Sequence, residues 1–196
     1  MLVAPALGAE GREARFGDDR PLTDAELAPV RALAAPAARL AFSGPAARCR
    51  QTAAALGLAP AVEPALADLD AGAWRGRPLA ELVTTAPESV ASWLSDPAFA
   101  PPGGESVAAL CARVGGWLAG LPDGGGRVLA VVDPAVVRAA LVHALALPPA
   151  AFWRLDVAPL TATELSGRSG RWNLRCGAPL PLARPVATGV TSSTID

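Results

Sequence analysis

Apolar and polar positions follow one another in blocks that predict short buried strands separated by helices. Met1 to Ala6 is apolar and predicts the first strand, and Leu7 to Arg20, rich in Gly and charge, predicts a loop. Thr23 followed by Glu26 is a capping box; the helix it starts should run to about Ala35, where Pro36 ends it. Leu40 to Phe42 predicts a second strand, Gly44-Pro45 a turn, and Ala46 to Leu56 a helix terminated by Gly57. Val62 to Asp70 reads as a strand or extended segment, and Gly72 to Gly76 as a turn-rich loop. Two short helices follow near Leu79–Val83 and Pro87–Leu94, then a Pro/Gly loop from Pro97 to Gly104. Ser106 caps a longer helix to about Leu121, with Val107, Leu110, Val114, Trp117 and Leu118 at helical spacing.

Gly124-Gly125-Gly126 marks a surface turn before Val128–Val132, which is apolar throughout, as a central parallel strand buried on both faces should be. Pro134 opens the next helix at the first-turn position where proline is tolerated. Leu155–Val157, Thr161–Leu165 and Trp172–Leu174 predict an antiparallel edge, with a hairpin turn at Gly167 to Gly170. From Arg184 onward the chain is polar and Ser/Thr-rich, with no core pattern. The expected organisation is one domain over residues 1–183 and a flexible tail over 184–196. Alternating strands and helices predict an α/β fold, a three-layer α/β/α sandwich with a mainly parallel sheet and an antiparallel edge. Ligands in such sheets bind beyond the carboxyl ends of the strands, so the residues after Val3, Phe42 and Val132 should converge.

Composition narrows the function classes. A chain of 196 residues, 52% hydrophobic, can bury one substantial core. Charged residues make up 18% and the net charge is −1, with no basic stripe, so no nucleic-acid partner is expected. No apolar run is long enough to span a membrane and no leader pattern opens the chain, so a cytoplasmic protein without a membrane partner is expected. Cys49, Cys111 and Cys176 are widely spaced and read as reduced thiols; no metal-ligand spacing is present and no cofactor is expected. The chain has no Lys, no Tyr and one His, so any general base or nucleophile must come from Asp, Glu, Cys, Ser, Thr or His143.

The segment Ser43-Gly44-Pro45-Ala46-Ala47-Arg48-Cys49-Arg50-Gln51-Thr52-Ala53 carries the most specific chemistry. It places Arg48 in the first turn of a helix, beside free N–H groups and the positive end of the dipole, which is an anion site with a cation added. The plain reading of this segment alone is a surface arginine on an ordinary strand–helix connection. Its wording, Ser-x-Pro-x-x-Arg-x-x-Gln-Thr-Ala, resembles the histidine phosphatases, the phosphoglycerate-mutase-like superfamily, and Arg48 matches their phosphate-binding arginine. Four further segments resemble that family in the same order: Arg15-Phe16-Gly17-Asp18 with Pro21-Leu22-Thr23; Leu69-Asp70-x-Gly72-x-Trp74-x-Gly76; Pro102-Gly103-Gly104-Glu105-Ser106; and Val131 to Arg138. The resemblance covers roughly Met1 to Leu174.

By this resemblance the catalytic residues do not carry over. Ala4, Pro5 and Ala6 stand where the family's Arg-His-Gly ends the first strand, and that histidine is phosphorylated in the family's reaction. Asp133 stands at the second histidine, and Asp68 at the acidic proton donor, usually a glutamate. The implied cleft lies beside Arg48 and is lined by Ala4, Pro5, Asp68 and Asp133, with an Arg48–Asp133 ion pair. At ~4 Å such a pair is worth about 4 kcal/mol before desolvation at intermediate dielectric, and phosphate would compete with it. His143, in the helix after Asp133, is expected to be packed or partly exposed and not catalytic. Two readings lead: a non-phosphatase pseudoenzyme used for binding or assembly, with a small-molecule or protein partner, or a repurposed enzyme in which Asp68 and Asp133 perform acid–base chemistry on a small metabolite; a phosphatase with a nucleophile outside the family pattern is the third and weakest. Phosphomonoesterase or mutase activity through phosphohistidine is expected to be absent under the first two. The sequence leaves the oligomeric state open.

Overall fold

The fold was obtained as a computed structural model, which describes residues 1–8, 15–17, 19–122, 124, 126–168 and 171–183. The expected turn at Gly124–Gly126 and the hairpin turn at Gly167–Gly170 fall partly outside the described residues, as does much of the Leu7–Arg20 loop; the tail at 184–196 lies wholly outside them.

Twelve regular elements alternate along the described chain: β1 (Leu2–Val3), α1 (Asp24–Arg31), β2 (Leu40–Ser43), α2 (Ala47–Ala55), β3 (Ala61–Val62), α3 (Leu79–Thr85), α4 (Pro87–Ser95), α5 (Val107–Ala119), β4 (Val128–Val131), α6 (Pro134–Ala144), β5 (Thr161–Arg168) and β6 (Arg171–Pro179). The strands form one sheet in the order β3-β2-β4-β1-β5-β6. β3, β2, β4 and β1 run parallel, whereas β5 and β6 add an antiparallel edge. The register sets Ser43 beside Val131 and Val3 beside Val131, so β1, β2 and β4 end level with one another.

Side chains alternate across the sheet, and helices cover both faces. Ala130 and Val132 pack with Val107, Leu110 and Val114 of α5 and with Val136, Val137 and Ala140 of α6. Leu129 and Val131 pack with Leu27 and Val30 of α1 and with Cys49 and Ala53 of α2. This is the three-layer α/β/α arrangement expected. A satellite core joins Trp74, Leu82 of α3, and Val90 and Trp93 of α4; Phe16 closes it, its ring 5.6 Å from that of Trp74 and 5.2 Å from that of Trp93. No helix among the described residues is long and apolar enough to cross a membrane.

The caps lie where the sequence places them. Thr23 accepts from the Glu26 N–H while Glu26 accepts from the Thr23 N–H at 2.9 Å, and Ser106 accepts from the Ala109 N–H at 3.1 Å. Several boundaries differ. The first strand is only Leu2–Val3, although Ala4 still exchanges backbone hydrogen bonds with Thr161 and Leu160. α1 stops at Arg31, not near Ala35: Ala32 to Ala34 instead bond to the returning chain at Pro181 and Ala183. Val62 to Asp70 is not a strand beyond Val62, since Pro64 opens a short 3₁₀ turn over Pro64–Leu66. Leu155–Val157 is not a strand either; it follows a 3₁₀ segment over Pro149–Arg154. α5 ends at Ala119, just before the Leu121 expected.

One loop contact is tight enough to test. Gly72 has φ +50°, and a Cβ there would run into the backbone of Pro102 and Gly104. Gly76 has φ +78° but faces open space. Gly76→Ala should therefore cost about 1 kcal/mol from the left-handed backbone alone. Gly72→Ala should cost about 3 kcal/mol or more, because the clash with fixed backbone adds to the strain. Urea unfolding of the two variants measures the difference; equal losses would contradict it.

Candidate functional site

The carboxyl ends of β2 and β4 bring three charged side chains into one cluster. Arg48 occupies the first turn of α2, immediately after β2. Its Nε donates to Asp133 Oδ1 at 2.5 Å and its Nη2 donates to Asp68 Oδ2 at 2.7 Å. Asp133 precedes Pro134 at the head of α6 and is fully buried; the Arg48 and Asp68 side chains are 14% and 31% exposed. The direct Arg48–Asp133 pair expected from the strand ends is present, and Asp68 joins it from the loop after the Pro64–Leu66 turn.

The electrostatics follow from two carboxylates sharing one guanidinium. Burial works against the charge on Arg48, but Asp133 and Asp68 outweigh it and its pKa is raised. Asp68 is pushed up to about 7, first by burial and then by the neighbouring charge of Asp133, with Arg48 only partly offsetting both. Next to Arg48, the Cys49 thiol is buried and lies near Asp133; both effects hold it in the protonated form. Asp133 Oδ2 has no hydrogen-bond partner among the described residues, and neither has the buried hydroxyl of Ser43 at the end of β2.

Other residues hold this cluster in place. Arg113 of α5 donates to both oxygens of Glu105, at 2.9 and 2.7 Å, and to the carbonyls of Ala65 and Ala67 at 2.8 and 3.1 Å. That clamp fixes the loop carrying Asp68. Gln51 and Thr52 tie down the opposite side: Gln51 Oε1 accepts from the Leu22 N–H at 2.7 Å, and Thr52 Oγ1 accepts from the Ala6 N–H at 3.1 Å. Asp19 Oδ1 accepts from the Ala47 N–H, so a carboxylate of the chain already occupies one donor at the start of α2. The sequence reading missed Arg113 and Asp19. The only local signal for Arg113 was Glu105, two turns of helix away.

An open cleft of about 300 Å³ lies over Arg48, lined also by Gly17, Asp19, Asp68, Asp70 and Arg75. The expected lining is corrected on three positions. Ala4, Pro5 and Asp133 do not face this cleft. Ala4, Pro5 and Ala6 are buried, and Asp133 is sealed from solvent with Arg48 bonded to it. Both arginines of the cleft meet carboxylates, Arg75 Nη2 donating to Asp70 Oδ1 at 2.8 Å. His143 lies elsewhere: it is exposed on α6 and lines a cavity with Leu2 and Val128, at the amino-terminal edge of the sheet.

A family model of the histidine phosphatase superfamily, branch 1, matches residues 7–177. The chain belongs to this superfamily. Several solved structures share its fold. The mycobacterial glucosyl-3-phosphoglycerate phosphatase superposes with a TM-score of 0.77 at 25% identity, over 91% of this chain and 97% of that one. The TTHB049 protein of Thermus thermophilus gives 0.70 at 30% identity, over 90% and 96%. The alpha-ribazole phosphatase of Shigella flexneri gives 0.79 at 18% identity, over 93% and 97%, a likeness of fold. No curated protein matches the sequence.

The histidine phosphatase scaffold here encloses a buried ion pair whose loss should be costly. Arg48→Ala should destabilise by about 3–5 kcal/mol, since it strands the buried Asp133; Asp133→Ala should cost less, because Arg48 keeps Asp68. The double variant should lose less than the sum, read from chemical denaturation. Asp68 gives a pH signature. Its pKa is about 7 in the fold and near 4 unfolded, so the native state binds the extra proton between those values. Stability contributed by this group therefore falls as pH rises from about 4 to about 7, then levels off. Asp68→Asn should abolish that fall, and an unchanged pH profile would contradict it.

Proposed function

We propose that this histidine phosphatase-like protein is a pseudoenzyme: it does not turn over phosphomonoesters through phosphohistidine, and its cleft serves binding or assembly. The observation that carries this reading is the state of Arg48, whose guanidinium is held by Asp133 at 2.5 Å and by Asp68 at 2.7 Å. A phosphoryl group entering the cleft would have to displace these internal carboxylates, and Asp133 and Asp68 would repel it. The residues that stand at the superfamily's nucleophile support the same reading. Ala4, Pro5 and Ala6 offer no side-chain nitrogen, and the single histidine, His143, faces the opposite edge of the sheet.

One observation favours the second reading, a repurposed enzyme. Asp68 borders an open cleft with a pKa pushed up to about 7, which suits a general acid near neutral pH. Its intended partner, Asp133, is sealed away from the cleft, so the paired-carboxylate version of that chemistry is the weaker of the two.

Purified protein incubated with labelled phosphoryl donors should take up no acid-labile label. It should hydrolyse neither an aryl phosphate nor glucosyl-3-phosphoglycerate above background. Turnover that disappears in Arg48→Ala would overturn the pseudoenzyme reading. Turnover of a non-phosphorylated metabolite that titrates near pH 7 and disappears in Asp68→Asn would establish the second reading.

A further inference from the structure

A cavity larger than the Arg48 cleft lies at the other end of the sheet. It encloses about 710 Å³, against about 300 Å³ for the Arg48 cleft. That size falls within the roughly 300–1,000 Å³ of small-molecule sites. Its apolar walls come from separate segments: Trp117 in the last turn of α5, Leu121 just beyond it, and Leu165 and Trp172 from the β5–β6 hairpin. Trp117 is held edge-on against Phe42, with ring centroids 5.8 Å apart and planes at 86°, so this wall is fixed.

The polar groups are concentrated on one side. Arg127, Glu164 and Ser166 line the cavity and also line an adjoining polar cleft of about 410 Å³, which adds Asn173 and Arg175. Arg127 Nη2 lies 3.5 Å from Glu164 Oε1, a long contact between half-exposed groups, and Glu164 is paired in register with Arg175. Arg175 lies on the exposed face of β6 and borders only that adjoining cleft, so Arg127 is the guanidinium of the cavity wall. His143 lines the cavity from α6, its ring seated against Gly115, where a side chain of any size would collide with it. No residue of the Arg48 cleft takes part.

We propose that this cavity is a second ligand site, and that it takes a flat aromatic molecule bearing an anionic group. The ring sits among Trp117, Leu121, Leu165 and Trp172; the anionic group turns toward Arg127. Aromatic walls supply area and ring–ring contact, and the Arg127 guanidinium, whose contact with Glu164 is long, can turn to a carboxylate or sulfonate. This site is independent of the pseudoenzyme reading.

Naphthalene-2-sulfonate is a suitable probe, followed by calorimetry and by tryptophan fluorescence. One molecule should bind per chain, saturably. Trp172→Ser should weaken it about tenfold, the equivalent of one aromatic contact. Arg127→Gln should weaken the sulfonate by a similar factor while leaving uncharged naphthalene unaffected, whereas Arg75→Gln, in the other cleft, should change neither. In the unmodified protein, the indole N–H resonances of Trp117 and Trp172 should shift on titration while those of Trp74 and Trp93 stay put. That measurement holds even if a variant fails to fold. No saturable binding at millimolar probe, or shifts confined to other tryptophans, would overturn the site. Binding that ignores Arg127→Gln would overturn the anionic class.

Discussion

A carboxylate with no access to water, Asp133, sets the terms for the rest of the cluster. Removing such a charge from solvent costs several kcal/mol unless a partner and good hydrogen bonds answer it. Arg48 is that partner, and it is held at the start of a helix, where the dipole is unfavourable to a cation. One carboxylate offsets the buried guanidinium; the second, Asp68, leaves the cluster with an excess of negative charge. That excess and burial together explain why Asp68 holds its proton up to about pH 7. The same arrangement immobilises the one side chain that a phosphate ligand would need.

The surrounding structure is arranged to keep these groups in register. Arg113 and Glu105 grip the loop bearing Asp68 through its backbone carbonyls, so the position of Asp68 does not depend on the charge it carries. Gln51 and Thr52, which belong to the same motif as Arg48, bond backbone N–H groups of Leu22 and Ala6. Their task is to close the sheet's carboxyl edge. The motif therefore has two separable parts: Gln51 and Thr52 serve the fold, whereas Arg48 borders the cleft.

How much of this could be read from the sequence depended on how local the cause was. Thr23 with Glu26 and Ser106 act within a few residues of themselves, and both caps lie where the pattern puts them. Val128–Val131 is buried on both faces and shows as an unbroken apolar run. α1 ended early for a non-local reason: the chain at Pro181–Ala183 takes up the backbone groups of Ala32–Ala34, and nothing near residue 31 announces it. Asp68 and Asp133 could be named as a pair from the family resemblance. That Arg48 would leave one of them bordering the cleft and the other wholly buried required the coordinates. The amino-edge cavity was illegible altogether, since Trp117, Arg127, His143 and Trp172 share no spacing and meet only through the topology.

The ion pair also bears on how well the cleft can bind an anion. To recruit Arg48, a phosphate must leave Asp133 without its partner in a dry site, a change that costs about 3–5 kcal/mol when one side of a buried pair is removed. At about 1.4 kcal/mol per factor of ten, that lowers affinity by roughly a hundred- to a thousandfold or more. A proton on Asp68 does not relieve the penalty, because Asp133 is the group in direct contact with Nε and the one with no solvent to turn to. Nor can Arg75 substitute as a free cation, since Asp70 accepts its Nη2 hydrogen bond at 2.8 Å. Both arginines of the cleft are thus answered by carboxylates of the fold itself.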